Sequence, residues 1–205
     1  NNGIIINVGC KTGNLNKLLT NKNIDSIGLD RSSKVINYCR NNYPDIKFDI
    51  FNINTLENVG MNYNQEITHI LCLDMEIYYI DNLDLFFNQS YNLLSNNGYL
   101  IIHFVDYKKY NNTSLYSRIN NFNPNNLSIK KVNDSVIKFN DIVYNTKYRI
   151  FPNDFSNKKI WFTETITNIH DSSVYENIHD LNYITSNYLK NTASKHGFTL
   201  TDIID

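Results

Sequence analysis

The stretch IINVGCKTG, Ile5 to Gly13, carries an apolar run into a glycine, and a second glycine follows four positions later. Two readings fit it. It is a loop that holds a nucleotide-like ligand, or a tight turn between a buried strand and a helix. The next hundred residues decide between them. Short apolar runs alternate with helical patterns. GIIINVG (Gly3 to Gly9) has little polar alternation, as expected of a parallel strand buried on both faces. In NLNKLLT, Leu15, Leu18 and Leu19 fall at helical spacing. SIGLD (Ser26 to Asp30) reads as a second strand. SSKVINYCRNNYP reads as a helix with a serine cap, an inner face of Val35, Ile36 and Cys39, and Pro44 just beyond its end. IKFDIFN (46 to 52) and HILCLD (69 to 74) are strands three and four. LDLFFNQSYNLL (83 to 94) is a helix stopped at Asn97-Gly98, and YLIIHFVD (99 to 106) is strand five. Alternation with short connections predicts right-handed βαβ units and a doubly wound parallel sheet.

The second half changes character. A polar stretch from about Asn111 to Asn126 precedes SVIKFNDIVYNTKYRIF and KKIWFTETITNI, both of period two and rich in Tyr, Phe, Trp and Thr. They are expected to form an antiparallel hairpin or small sheet, inserted after strand five as a lid. SNYLKNTASKHGF is expected to be an amphipathic helix ending at Gly197, followed by a last strand, FTLTDII. The expected organisation is a core of residues 1–110 and 185–205 with an insert of 111–184.

Composition narrows the function. The 205 residues carry 19 Lys and Arg against 20 Asp and Glu, a formal charge of −1, without the basic excess of a general nucleic-acid binder. Asparagine is roughly one residue in six, spread between well-formed apolar runs, which reads as AT-rich codon bias and not as a prion-like tract. The three cysteines, Cys10, Cys39 and Cys72, have no metal-ligand spacing, so no metal site is expected and a reduced cytoplasmic setting fits best. No apolar run approaches the ~20 residues that span a bilayer, and no signal peptide is visible. The chain begins without Met, as a trimmed chain would.

In an open parallel sheet, ligands sit outside the carboxyl ends of the strands near the switch in strand order. Those ends carry Asn7 and Gly9, Asp30, Asn52, Asp74 with Glu76 close behind, and His103 with Asp106. Gly9 and Gly13 let the backbone pass close to a ligand. The helix beginning near Asn14 would offer free amides to a carboxylate or phosphate. Asp30, 17 residues after Gly13, can accept hydrogen bonds from ribose hydroxyls.

INVGCKTGNL followed by SIGLDRSSKVINYCR resembles the first two motifs of the class I S-adenosylmethionine-dependent methyltransferases. IKFDIFNINTL resembles their third motif. ITHILCLDMEIYYIDN with FFNQSYNLLSNNGYLIIH resembles strand four, the next helix and the turn before strand five, and SKHGFTL resembles the family's junction into strand six. The resemblance covers about residues 3–106 and 186–205. The layout of ILCLDMEIYYI and YLIIHFVD is also similar to that of methyltransferases of large DNA viruses. A Rossmann dehydrogenase fits less well, because the third glycine of its fingerprint is absent.

The resemblance implies a Rossmann-like sheet that binds S-adenosylmethionine. Gly9, Cys10 and Gly13 would line its methionine part, Asp30 would hold the ribose, and Arg31 would lie beside the adenine. Asn52 and Ile53 would sit at the adenine amine, and Asp74 and Met75 beside the transferable methyl. Three positions depart from the family pattern: Asn7 replaces an acid, Lys11 a glycine, and Asn52 an aspartate. Asparagine still accepts hydrogen bonds, so the departures at Asn7 and Asn52 weaken the electrostatics without removing them. Lys11 either crowds the cofactor or points outward.

Methyl transfer is an in-line displacement that needs alignment and exclusion of water, with a base only where the acceptor must lose a proton. Candidates are Asp74, Glu76 and His103. The ordinary alternative for Glu76 is a solvated loop carboxylate, and for His103 a buried strand residue bonded to backbone. Tyr78, Tyr79, Asp106, Tyr148 and Trp161 are candidates for the acceptor pocket. A small molecule or short peptide is the expected acceptor. An RNA or cap methyltransferase is an alternative, hinted at only by Lys108, Lys109, Lys130 and Lys131, which a solvated face explains better. The absence of an NPPY-type motif at Asp74-Met75-Glu76-Ile77 argues against the N6-adenine branch. A catalytically inactive scaffold or partner subunit is a further alternative.

Overall fold

The computed structural model describes residues 3–52, 56, 66–105, 132–138, 141–150 and 159–204. The chain divides into two units, residues 1–105 with 185–205, and residues 106–184.

The first unit holds a five-stranded parallel sheet of order β3-β2-β1-β4-β5. Its strands are β1 (Ile4–Val8), β2 (Ser26–Asp30), β3 (Lys47–Ile50), β4 (Ile67–Cys72) and β5 (Leu94–Ile102). The chain winds outward from β1 through β2 to β3, then restarts on the other side with β4. The switch point is therefore the gap between the ends of β1 and β4. Ile4, Ile6, Val8, Ile27, Leu29, Ile70 and Cys72 are all buried, as a sheet covered on both faces requires.

The helices form where the sequence provides caps and an apolar stripe. In α2 (Ser33–Asn42) the Ser32 hydroxyl accepts from the Val35 amide at 3.3 Å, and Ile36 and Cys39 are buried three residues apart. In α3 (Leu83–Leu93) Asn82 caps the Leu85 amide at 3.0 Å, and Leu83, Phe86, Phe87 and Ser90 make the buried stripe. Thr185 caps α4 (Ser186–Lys195), which ends at Gly197 in the left-handed region. Phe198 then packs edge-on against Phe87 and Tyr91, tying this end to α3. Helix α1 (Asn14–Thr20) is held by a buried polar chain: Asn7 on β1 donates to Asn16 at 2.9 Å, and Asn16 donates to Ser26 on β2 at 3.0 Å.

Two boundaries differ from the sequence expectation. Strand β5 begins at Leu94, not at Tyr99, because Leu94 already pairs with Ile67. A bulge then absorbs Ser95–Gly98 before Tyr99 pairs with His69, with Asn97 left-handed at φ +62. The Asn97-Gly98 turn thus lies inside a strand. The expected strand FTLTDII does not form. Residues 198–204 are irregular, with Leu200, Ile203 and Ile204 exposed, because an alternating pattern becomes a strand only where a ladder partner stands beside it.

The second unit is an antiparallel sheet of order β6-β7-β8-β9: β6 (Val132–Lys138), β7 (Ile142–Ile150), β8 (Lys159–Asn168) and β9 (Val174–Asn182). The expected hairpin or small sheet is thus a sheet of four strands. One face carries a cavity of about 330 Å³ lined by Val136, Asn145, Lys147, Thr163, Thr165 and Glu176. On the other face Glu164 accepts from the Tyr144 hydroxyl and lies 2.9 Å from His179 Nε2, and His179 stacks on Phe162 at 5.2 Å. Burial pushes the Glu164 carboxyl up, but the hydrogen bonds from Tyr144 and His179 outweigh it and hold the carboxyl below its usual range.

Candidate cofactor site

After β1 the chain turns sharply. The amides of Gly9 and Cys10 both donate to the Leu29 carbonyl, at 2.8 and 2.9 Å, and Gly13 donates to Cys10 at 3.0 Å. Gly9 and Gly13 adopt φ +72 and +78. The two glycines serve different neighbours. A Cβ on Gly13 would lie 2.9 Å from the Phe48 ring and 3.2 Å from Cys39 Sγ, so Gly13 is required by core packing. A Cβ on Gly9 would lie 2.6–2.7 Å from the Glu76 carboxylate arm, so Gly9 faces the sheet's functional edge. Both glycines are therefore held by close neighbours, Gly13 by the core and Gly9 by the Glu76 side chain.

Asp30, at the tip of β2, closes the turn. Its Oδ2 accepts from the Lys11 amide at 3.0 Å and its Oδ1 from the Ser32 amide at 2.9 Å. Each oxygen keeps a lone pair, so the carboxylate can still take two hydroxyl donors. Lys11 takes the left-handed conformation a glycine would favour, φ +49, and its side chain leaves the turn to meet Asp74 at 3.2 Å. Asp74 and Met75, just past β4, are also left-handed, at φ +50 and +67. Three non-glycine residues in the left-handed region thus gather at one rim.

Glu76 begins a short 3-10 helix, Glu76–Tyr79, that turns its side chain inward. It is 8% exposed, contrary to the solvated carboxylate of the sequence reading. Arg31 approaches it at 3.6 Å. Burial pushes the Glu76 carboxyl up to about 7, with Asp30 adding to the rise while Arg31 and Lys11 oppose it. Because this pKa is raised on folding, ionisation of Glu76 opposes folding, and its contribution to stability falls as pH rises from the ordinary carboxylate range through neutrality.

The remaining candidates separate. Asn7 points beneath α1, 3% exposed, and acts on the site only by fixing the sheet–helix junction. Cys10 is buried with Cys39 against Phe48. Arg31 lies over the Tyr79 ring at 5.1 Å and donates to the Tyr79 carbonyl at 3.3 Å, which joins both residues to the rim. Tyr78 is not a pocket wall: it is buried, its hydroxyl donates to the Val105 carbonyl at 2.7 Å, and its ring stacks on Phe104, so it anchors the exit of β5. His103 is not the buried strand residue of its alternative reading. It is exposed one residue past β5, and its amide donates to the Cys72 carbonyl at 2.9 Å. Asn52 is exposed after β3. Trp161 is half-exposed on β8, facing Arg149 and Asp180 in register. Tyr148 lies on β7, and Ile53, Asp106, Lys108, Lys109, Lys130 and Lys131 lie outside the described residues, as does the side chain of Tyr148. The signal that could have found the buried state of Glu76 is its place between Met75 and the apolar Ile77-Tyr78.

A model of the methyltransferase domain matches residues 1–148. The chain belongs to the methyltransferase-domain family. Its fold is that of the class I S-adenosylmethionine-dependent methyltransferases. No sequence among curated proteins matches it. Solved structures share the methyltransferase fold at low identity. The CcbJ methyltransferase from Streptomyces caelestis superposes with a TM-score of 0.72 at 11% identity, covering 96% of this chain and 72% of that one. A S-adenosylmethionine-dependent methyltransferase from Clostridium acetobutylicum gives 0.68 at 17%, covering 96% and 73%. CalS10, an S-adenosylmethionine-bound amino pentose methyltransferase from Micromonospora echinaspora, gives 0.66 at 10%, covering 96% and 75%. Among the described residues of the methyltransferase no helix is long and apolar enough to cross a membrane, and no His, Cys, Asp or Glu cluster is fit to hold a metal.

Proposed function

We propose that the methyltransferase transfers the methyl group of S-adenosylmethionine to a small polar molecule, held against the rim between β1 and β4. The observation that carries the donor site is Asp30. It sits at the switch-point edge, fixed by two backbone amides to the turn that contains Gly9, with acceptor capacity left for a sugar diol. Bound S-adenosylmethionine supplies both the methyl group and its own leaving group. The protein's part is binding, alignment and exclusion of water. Asp30 would hold the ribose, Arg31 and Asn52 would flank the adenine, Gly9 would line the methionine part, and Met75 would lie beside the transferable methyl. Asp74 and His103 would take the proton of an acceptor that must lose one.

A small acceptor is favoured by the net charge of −1, which lacks the basic excess that a nucleic-acid substrate would call for. Proteins of this fold include an amino pentose methyltransferase and a sugar N-methyltransferase. Calorimetry with S-adenosylmethionine and with its demethylated product tests the donor site. Binding in the micromolar range is expected, with Asp30→Ala weakening it at least about tenfold, since charge-assisted hydrogen bonds are worth about 1.5–3 kcal/mol each. A folded protein that gives no heat with either ligand would leave the inactive-scaffold reading, which the Lys11–Asp74 bridge across the rim favours. A screen of small amines, amino sugars and short peptides with labelled donor then identifies the acceptor.

A further inference from the structure

Among the described residues Glu76 is the only charged side chain that is buried. Its carboxylate arm packs on Gly9, at the bend of the turn. The charges that face it come from every side. Arg31 from beyond β2 reaches it at 3.6 Å, and Lys11 from the turn and Asp30 from β2 act at longer range, with the Cys72 thiol behind it on β4. Compensation is incomplete. Arg31 is half-exposed and shared with the Tyr79 carbonyl and ring, and Lys11 is engaged by Asp74. A buried carboxylate short of positive charge favours a fixed cation beside it and gains nothing from a neutral neighbour.

The two forms of the cofactor differ in this respect. The donor is a sulfonium cation at sulfur, and the demethylated product is a neutral thioether. We propose that Glu76 is the group by which this methyltransferase prefers the cationic donor over the neutral product, and that donor binding displaces a proton from it. The inference rests on the donor site proposed above. A carboxyl that is half-protonated near neutrality in the free protein gives the preference a pH dependence of defined sign. Only the ionised form attracts the sulfonium, so donor affinity rises with pH through neutrality, while product affinity does not follow it.

Calorimetry on the full chain with donor and with product, at about pH 6 and about pH 8, tests this. The ratio of product to donor dissociation constants should rise up to about tenfold between the two, the limit for one linked proton with a pKa near 7. Donor and product share the same adenosine and amino-acid ends, so titration of those parts cancels in the ratio. Near pH 7, buffers of different ionisation heat should report release of about half a proton with the donor and almost none with the product. In Glu76→Gln the ratio should become flat with pH and fall several-fold at the alkaline end. A carbon NMR titration of wild-type Glu76 gives a reading that needs no variant: its titration should move to lower pH on saturation with donor and stay near neutrality with product. Binding of both ligands with a pH-independent ratio and an unmoved Glu76 titration would overturn this inference alone. Absence of binding by either would overturn the donor site and the inference with it.

Discussion

Lys11 shows how a residue unsuited to a position can still occupy it. Its φ of +49 is a conformation that costs an L side chain about 1 kcal/mol. Its side chain makes an exposed ion pair with Asp74, a kind of contact worth about 0–1 kcal/mol. Lys11→Gly and Lys11→Ala both remove the ion pair, but only glycine removes the strain. The glycine variant should therefore be the more stable of the two by about 1 kcal/mol, read as a difference of a few degrees in thermal denaturation. Equal stability of the two would mean that the turn relaxes when Lys11 is removed. Glu76 and His103 make a second point at this scale. The ordinary alternatives for these two candidate bases are a solvated acid and a buried imidazole, and the fold places neither so: Glu76 is buried and His103 exposed. A single residue's exposure depends on what the neighbouring strand ends bring beside it.

At the scale of elements, helix α1 has seven residues, no side-chain cap and only one fully buried side chain, Asn16. Its attachment to the sheet rests on the Asn7–Asn16–Ser26 chain. Asn16→Ala would strand the Asn7 amide in the core, and an unsatisfied buried polar group costs about 1–3 kcal/mol. A loss of about 2 kcal/mol or more in denaturant unfolding is expected, together with weaker donor binding because the turn from Gly9 to Gly13 leads into this helix. The parallel strands were legible in the sequence because burial on both faces leaves apolar runs that little else produces. Strand β9 was not. VYENIHDLN carries Glu, Asn, His and Asp and is largely exposed, and it is a strand because β8 offers it a nine-residue ladder. FTLTDII fails for the converse reason, having the pattern without the partner.

For the whole molecule, the near balance of charge predicts how the acceptor is captured. If the acceptor is small and uncharged, kcat/KM for it should change less than about twofold between low and physiological salt, whereas an acceptor bound through several phosphates would lose about a thousandfold or more. Steady-state kinetics across a salt series distinguish the two. The sequence alone determined the βαβ winding, the place of the turn and the carboxylate at its rim. These come from local periodicity and from the fixed rule that ligands meet parallel sheets at their carboxyl ends. Only the tertiary structure decided that Gly13 serves packing while Gly9 faces Glu76, that Lys11 turns out to Asp74, and that a carboxylate lies buried beside the turn. The physical reason is that burial and pairing are properties of contacts between segments far apart in the chain, and no local pattern records which distant side chain will fill the space.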